Sequence, residues 1–420
     1  MKSKRYILLF IIVIIIILIL IDIKIDDNNK ADYKTLPSIY ISLANSSVKE
    51  INENSRKTKY SNNNFELYDN SKLLLNDTIT IKGRGNTTWY WPKKPYQISF
   101  NEKQNLLDLG ASKKWVLLAN FVDESLIRNH LAFNISEMLE MPYSMTGKNV
   151  NLYIDNEYYG VYYLTNKVSI SEGSVNLKDD NAVLVELDNI SSADEDYFVS
   201  EVFLDHIVFK DFKDEDNETT IKENFINAYN KMENAINEED WNSLNEIIDV
   251  DSFAKYYIIC SFTRNGDCYR SSFFMYQDGF DDKIHAGPVW DFDMAYANDV
   301  GTKIDGIDTS NVFHDPVINK AYRNDATHNK DSVLLKKMYQ FDEFKSNIKL
   351  QWEKYMKDNL LTLNNKIHDE YILLLHDANC NIQRWNYPLP YEIYINQLYD
   401  VIELQYNYLE YKINNFKYIK

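Results

Sequence analysis

Cysteine, histidine pairs, linker residues and positive charge are all in short supply in this chain. Cys260, Cys268 and Cys380 are the only cysteines in 420 residues, too few for a disulfide framework and without a zinc-ligand spacing. The seven histidines are scattered and form no H-x-x-x-H pair, so catalysis has to be sought among carboxylates and bases. No internal repeat and no proline- or glycine-rich linker divides the sequence. Lysine and arginine total 45 against 63 aspartate and glutamate, a formal net charge of -18 with a pI near 4.9. That balance excludes loose binding to nucleic acid, predicts an acidic outer face and suits a cationic partner.

What is present is apolar and aromatic. Hydrophobic residues make up 45% and aromatics 14% of the chain, enough for a sizeable core in one large or two ordinary domains. The N-terminus differs in kind: Lys2, Lys4 and Arg5 precede the apolar run Tyr6 to Ile21, and Asp22 and Lys24 return the chain to water. A bilayer core needs about 20 residues, so segment 6–25 is long enough to span it. Only bulky or charged residues follow until Ala31, so no small-x-small cleavage site is offered. An uncleaved anchor with the body outside the cytoplasm is expected, and a cleaved signal is the alternative. The isoleucine, asparagine, lysine and tyrosine bias points to a low-GC, Gram-positive-like bacterial coding sequence.

After a polar tether, "SIYISLA" alternates like a strand. Asparagine-rich runs at Asn52 to Asn54 and Asn62 to Asn64 read as turns between short strands. "DTITIKGRGNTTWYWPKKPYQISF" reads as two strands joined by a loop, and "KKWVLLANF" as a buried strand. A helix capped near Asp123 places Leu131, Ile135, Met138 and Leu139 on one face. A hairpin turning at Asp155 to Glu157 follows, then the strand "NAVLVELDNI", an amphipathic helix from Glu218 to Ile236, and a helix from Asp251 to Thr263. Two strands around "DGFDD" lead to "VWDFDMAY", beyond which lie the irregular segment Asn298 to Asp331 and further helices.

Asp267, in the loop "RNGDCYR", and Asp291, in "VWDFD", are 24 residues apart across that hairpin. A hairpin of this length returns both carboxylates to one end of a sheet. Phosphoryl transfer uses such a pair, one carboxylate to orient and deprotonate a hydroxyl and one to hold magnesium against nucleotide phosphates. Aspartates flanking a hairpin also occur in ordinary turns, so the spacing alone does not decide. A metal-dependent hydrolase built on Asp291 and Asp293 is the alternative from these residues; nothing marks the sugar cleft a glycosidase requires.

Four ordered blocks narrow the choice: "RGNTTWYWPKKPYQISF", "KWVLLANFVDESLIRNHLAF", "YIDNEYYGVYYL" and "GDCYRSSFFMYQDGFDDKIHAGPVWDFDMAY". Together they resemble the CotH kinase family, the atypical protein kinases similar to spore coat protein H, over roughly residues 36–410. The resemblance implies an α+β, divergent protein-kinase-like fold with a strand-rich N-terminal half and a helix-rich C-terminal half. With the preceding transmembrane or signal-anchor helix, this gives an anchor at 1–25, a tether at 26–35 and a domain at 36–420, divided into a nucleotide-binding half at 36–190 and a catalytic half at 191–420.

The resemblance further implies ATP and Mg2+ as cofactors and transfer to Ser or Thr of a surface or spore-coat protein, for which the acidic surface favours basic, Ser/Thr-rich substrates. It assigns Asp267 as the catalytic aspartate and Asp291 as the metal ligand, with Asp293 in support. It places Arg84, Asn86, Lys93, Lys94 and Arg128 at the nucleotide. Lys94 is preferred over Lys93 because alternation with Tyr96 and Ile98 points it to one face of the strand. Glu186 is a candidate partner for a phosphate-binding lysine, since a buried acid needs one. Trp89, Trp91 and Trp115 read as core. One position departs from the family: Ser272 stands where an asparagine helps to hold the second metal, and a serine hydroxyl is a shorter and poorer ligand. An inactive pseudokinase that binds nucleotide or a coat protein is therefore the competing expectation.

Overall fold

The computed structural model describes residues 35–189, 195–296, 298 and 331–416. The expected anchor and tether and nearly all of the irregular segment lie outside the described residues. Among those described, no helix is long and apolar enough to cross a membrane.

Seven strands close a barrel: β1 (Ser38–Ser42), β2 (Tyr60–Asp69), β3 (Lys72–Gly83), β4 (Tyr96–Asn105), β5 (Ala111–Leu118), β6 (Gly147–Ile154) and β7 (Glu157–Asn166). The order around it is β1-β2-β3-β4-β5-β7-β6, antiparallel except where β6 meets β1. Period-two alternation builds it: Ile39, Ile41, Phe65, Leu67, Ile79, Ile81, Ile98, Trp115 and Leu164 point inward and are fully buried. Each such side chain contributes roughly 2 kcal/mol relative to exposure. Helix α1 (Val48–Glu53), whose N-cap Ser47 Oγ accepts the Glu50 N–H at 3.2 Å, adds Ile51 to this core.

The asparagine runs correct the sequence reading. Asn52 lies in α1 and Asn54 caps it, while Asn62 to Asn64 sit inside β2, where the register slips and Asn62 takes φ 63°. Asn63 is buried because its amide replaces strand bonds, donating to Tyr60 O at 2.7 Å and accepting the Ala44 N–H at 3.1 Å. A bulge, not a turn, uses this residue. The Asp155–Asn156 turn is as expected, both residues at positive φ.

A second sheet, β12-β11-β8-β10-β9, is formed by β8 (Val183–Leu187), β9 (Tyr197–Val199), β10 (His206–Phe212), β11 (Phe273–Gln277) and β12 (His285–Ala286). Around it pack α2 (Arg128–Met138), α3 (Glu218–Asn237), α4 (Trp241–Ile247), α5 (Val250–Thr263), α6 (Leu334–Met338), α7 (Asp342–Gln351), α8 (Leu360–Trp385) and α9 (Tyr391–Asn414). Helix α5 is apolar on every side and buried at every residue except Asp251. The last barrel strand ends at Asn166 and the second sheet begins with β8 at Val183, while α2, between β5 and β6, packs into the core of the second sheet. Strand β8 is buried at all five residues and finds its partners, β10 and β11, only later in the chain.

Helix α8 straps the bodies together. Asn381 Oδ1 accepts the Val161 N–H at 3.1 Å, Asp377 accepts the Leu36 N–H at 3.0 Å and Asn151 Nδ2 at 3.1 Å, and Arg384 Nε donates to Tyr158 O at 2.8 Å. Gly160 permits the approach: it holds φ +102°, and a Cβ there would lie 2.4 Å from Asn381 Oδ1 and 2.8 Å from Trp385 Nε1. Gly160→Ala is expected to cost about 2–4 kcal/mol, read by urea unfolding. A change under about 0.5 kcal/mol would mean that the strap moves aside freely.

Candidate active site

Helix α5 ends at Thr263 with Arg264 in the left-handed region, φ 51°, which turns the chain sharply into the loop carrying Asp267. Asn265 then joins the two aspartates: its Oδ1 accepts the Asp267 N–H at 3.1 Å and its Nδ2 donates to Asp291 O at 3.3 Å. The intervening β11–β12 hairpin brings the chain back, so residues distant in sequence share one side chain's hydrogen bonds.

In "VWDFD", Val289, Trp290 and Phe292 are core residues, Trp290 stacking on Phe133 at 6.0 Å, while Asp291 turns outward. Asp291 holds φ 67°, a conformation costing about 1 kcal/mol that aspartate tolerates better than most residues. The strained turn is clamped from behind, because the Phe292 N–H donates to Asn129 Oδ1 at 2.8 Å and Asn129 is fixed in turn by Asn120 at 3.3 Å. Ser272 Oγ approaches Asp291 Oδ2 at 3.4 Å. Asn129 thus acts by aiming the loop rather than by touching a ligand.

Burial among protein atoms pushes the Asp291 carboxyl up to about 6, with Asp267 and Glu186 adding repulsion and Arg84 and Ser272 opposing. By surface area the residue is nevertheless exposed. Its carboxylate is walled on most sides and wetted from one, so repulsion by neighbouring acids is the firmer cause. Asp293 is 7% exposed, and burial, followed by Asp291, Asp123 and Asp267, raises it well above the usual range. Its backbone oxygen is held by Asn298 Nδ2 at 2.7 Å.

Cations face these acids. The Arg84 guanidinium lies 5.5 Å over the Trp290 ring; burial lowers its pKa, and Asp291, Glu186 and Asp293 pull it back up. Glu186 has the lysine it needs, but it is Lys210, at 2.7 Å. The β10 register slips between Phe209 and Asp211, and this bulge carries Lys210. Neither the bulge nor the pairing has a signature in "HIVFKDF". Lys167 is pushed down to about 8 by burial and by Lys114 and Lys210. Lys82, Lys114 and Lys167 thus form a cationic stretch along the barrel side within an acidic protein.

Other expected residues lie elsewhere. Lys93 is 0% exposed and commits its ammonium to Val161 O and to Asn381 Oδ1 at 2.9 Å, so it ties the barrel to α8 instead of meeting a nucleotide. Lys94 precedes β4 and donates to Trp89 O at 2.5 Å, pinning its own loop. Arg128 is buried against Asp123 and donates to Ser125 Oγ at 3.0 Å; Asp123, expected as the helix cap, does accept the Arg128 N–H at 2.9 Å. Asn86 is exposed and accepts Arg56 Nη2 at 2.7 Å. Trp115 fills the barrel as expected, whereas Trp91 is half-buried outside the core and stacks on Phe121 at 5.8 Å.

Among the described residues, no three histidine, cysteine or acidic side chains converge to hold a metal. Magnesium seldom needs three: one or two carboxylates plus substrate phosphates and water suffice. Asp291, outward and ionised at neutral pH, fits that demand. A surface depression of about 450 Å³ lined by Tyr40, Glu66 and Tyr68 shares no residue with the acidic cluster.

Comparison with known proteins agrees with this geometry at the level of the family. No curated protein matches the chain. Among solved structures, the Helicobacter pylori proinflammatory kinase CtkA aligns over 84% of this chain and 95% of its own, at 9% identity and a TM-score of 0.33, too low to carry fold or function. The family model described as CotH kinase protein matches residues 81–409, well over half of the chain and spanning every acidic residue of the cluster. The chain belongs to the CotH kinase family.

Proposed function

We propose that this protein is an ATP- and magnesium-dependent kinase that phosphorylates Ser or Thr hydroxyls of a basic surface or spore-coat protein, tethered to a membrane by segment 6–25 with its domain outside the cytoplasm. The observation that carries the reading is the convergence of Asp267 and Asp291 through Asn265, open to solvent and with Arg84 facing Asp291. Asp267 orients the acceptor hydroxyl and takes its proton as the oxygen attacks. Asp291 holds magnesium, which when bound neutralises charge on the phosphates of the substrate ATP. Arg84 adds charge of the same sign from the barrel side. Because ATP is scarce outside cells, a compartment supplied with nucleotide, such as the surroundings of a forming spore, suits this location.

The experiment is transfer of radiolabel from ATP to a basic, Ser-rich protein by the full chain and by Asp267→Asn. Loss of about 10²–10⁴-fold in kcat with nucleotide affinity kept is expected. Equal labelling by both proteins would remove Asp267 from the chemistry. Ser272 favours a second reading, a module that binds nucleotide without turnover. Calorimetric binding of Mg2+ and ATP by a protein that labels nothing would select it.

A further inference from the structure

The acidic cluster has few oxygens left for metal. Glu186 is paired with Lys210, Asp293 is buried, and the Asn265 side-chain carbonyl accepts the Asp267 N–H. Asp267 itself is in an ion pair with Arg270, three residues on. Among the described residues of the cluster, Asp291 offers an outward carboxylate in no ion pair, and Ser272 beside it offers only a hydroxyl.

The half-buried Arg270 differs from the buried Arg128. Arg128 is tied to both Asp123 and Ser125, whereas the Arg270 side chain makes one hydrogen bond among the described residues, to Asp267, and its Nε has no partner. The Arg270 side chain is 16% exposed and that of Asp267 35%, so both keep contact with solvent. Its backbone is rigidly set: the Arg270 N–H donates to Asp267 O at 2.8 Å, and Arg270 O accepts the Asn189 N–H at 2.8 Å, just beyond β8. Burial costs the cation, and Asp267 and then Asp331 hold it charged.

We propose that this active site works with one divalent cation, held by Asp291, and that Arg270 supplies the second positive charge to the phosphoryl group in transit. The inference rests on the kinase reading above. In the step concerned, the acceptor oxygen–phosphorus bond forms while the bond from the γ-phosphorus to its bridging oxygen breaks. That electron pair stays on the β-phosphate of ADP, and the hydroxyl proton passes to Asp267. Negative charge grows on oxygens next to Asp267, where the Arg270 fork holds donors to spare. An arginine supplied from within the same chain serves phosphoryl transfer in this way.

The test uses the full chain, with Mn2+ counted by electron paramagnetic resonance on the β,γ-imido analogue of ATP, and with the affinity for Mg2+–ADP measured with and without aluminium fluoride, a mimic of the phosphoryl in transit. One Mn2+ per nucleotide is expected in the unaltered protein, and a second on Ser272→Asn. Arg270→Gln should keep the Mn2+ count and the ADP affinity, lose most of the tightening by aluminium fluoride, and lower kcat by about 10²–10³-fold. Two Mn2+ in the unaltered protein, or undiminished aluminium fluoride tightening in Arg270→Gln, would overturn the proposal. If protein labelling is absent but fluoride tightening is present and depends on Arg270, the kinase reading falls while the role of Arg270 stands.

Discussion

Asp291→Asn should reduce phosphoryl transfer by about 10³-fold or more while leaving the unliganded protein as stable as before, or more so. The loss follows from removing the outward carboxylate available to a divalent cation. The stability follows from electrostatics: Asp291 shares its surroundings with Asp267 and Glu186, and its folded-state pKa stands at about 6 against 3.8 for a free carboxyl. A raised acid binds more protons folded than unfolded between those values, so its contribution to stability declines as pH climbs from about 4 to 6 and stays unfavourable above. Two units would correspond to about 3 kcal/mol for an enclosed group, and solvent access reduces this to about 1 kcal/mol. Melting curves between pH 4 and 8 for the two proteins should therefore converge at low pH and separate above pH 6, Asp291→Asn the higher. Apparent Mg2+ affinity of the unaltered protein should rise about tenfold from pH 5 to 7 and level off above, as the metal ceases to compete with a proton. A variant that melts lower at pH 7, or an affinity flat across this range, would show that Asp291 is not repelled by its neighbours.

Asp123→Ala should cost about 3–5 kcal/mol of stability, the largest loss expected from a single polar residue here. Asp123 is fully buried and receives the Arg128 guanidinium, the Arg128 N–H at 2.9 Å and the Ser125 N–H at 3.1 Å. Truncating it strands a cation inside the protein and leaves the first turn of α2 without its acceptor. Arg128→Met combined with Asp123→Ala should recover much of the loss, since no unpaired charge remains. Urea titration of the two single variants and the double one measures the coupling. The same variants decide what Arg128 does: nucleotide affinity should survive in the folded fraction of Arg128→Met. A tenfold loss there with unchanged unfolding would return Arg128 to the phosphate.

The contrast between Arg128 and Arg270 shows how far the chain could be read directly. Both are arginines three to five residues from an aspartate, in "DESLIR" and "DCYR". The pattern does not say which pair is buried at the start of a helix and which is partly open to solvent. Lys93 and Lys94 were expected at the nucleotide because cations near a glycine-containing loop suit phosphate, yet Lys93 is consumed by Asn381, 288 residues away. Lys210, which takes the position beside Glu186, sits in a bulge whose existence depends on pairing with β8.

Local chemistry along the chain was sufficient for several strands of the barrel, the α5 helix and the hairpin between Asp267 and Asp291, though not for β2, whose Asn62 to Asn64 read as a turn. Alternation, capping and turn residues act over a few positions and need no distant partner. Which charges meet, by contrast, was decided by the closed barrel, the second sheet and the α8 strap. A buried charge is matched by desolvation and geometry, whether its partner is five residues away, as for Asp123 and Arg128, or 288, as for Lys93 and Asn381, and those are properties of the folded chain alone.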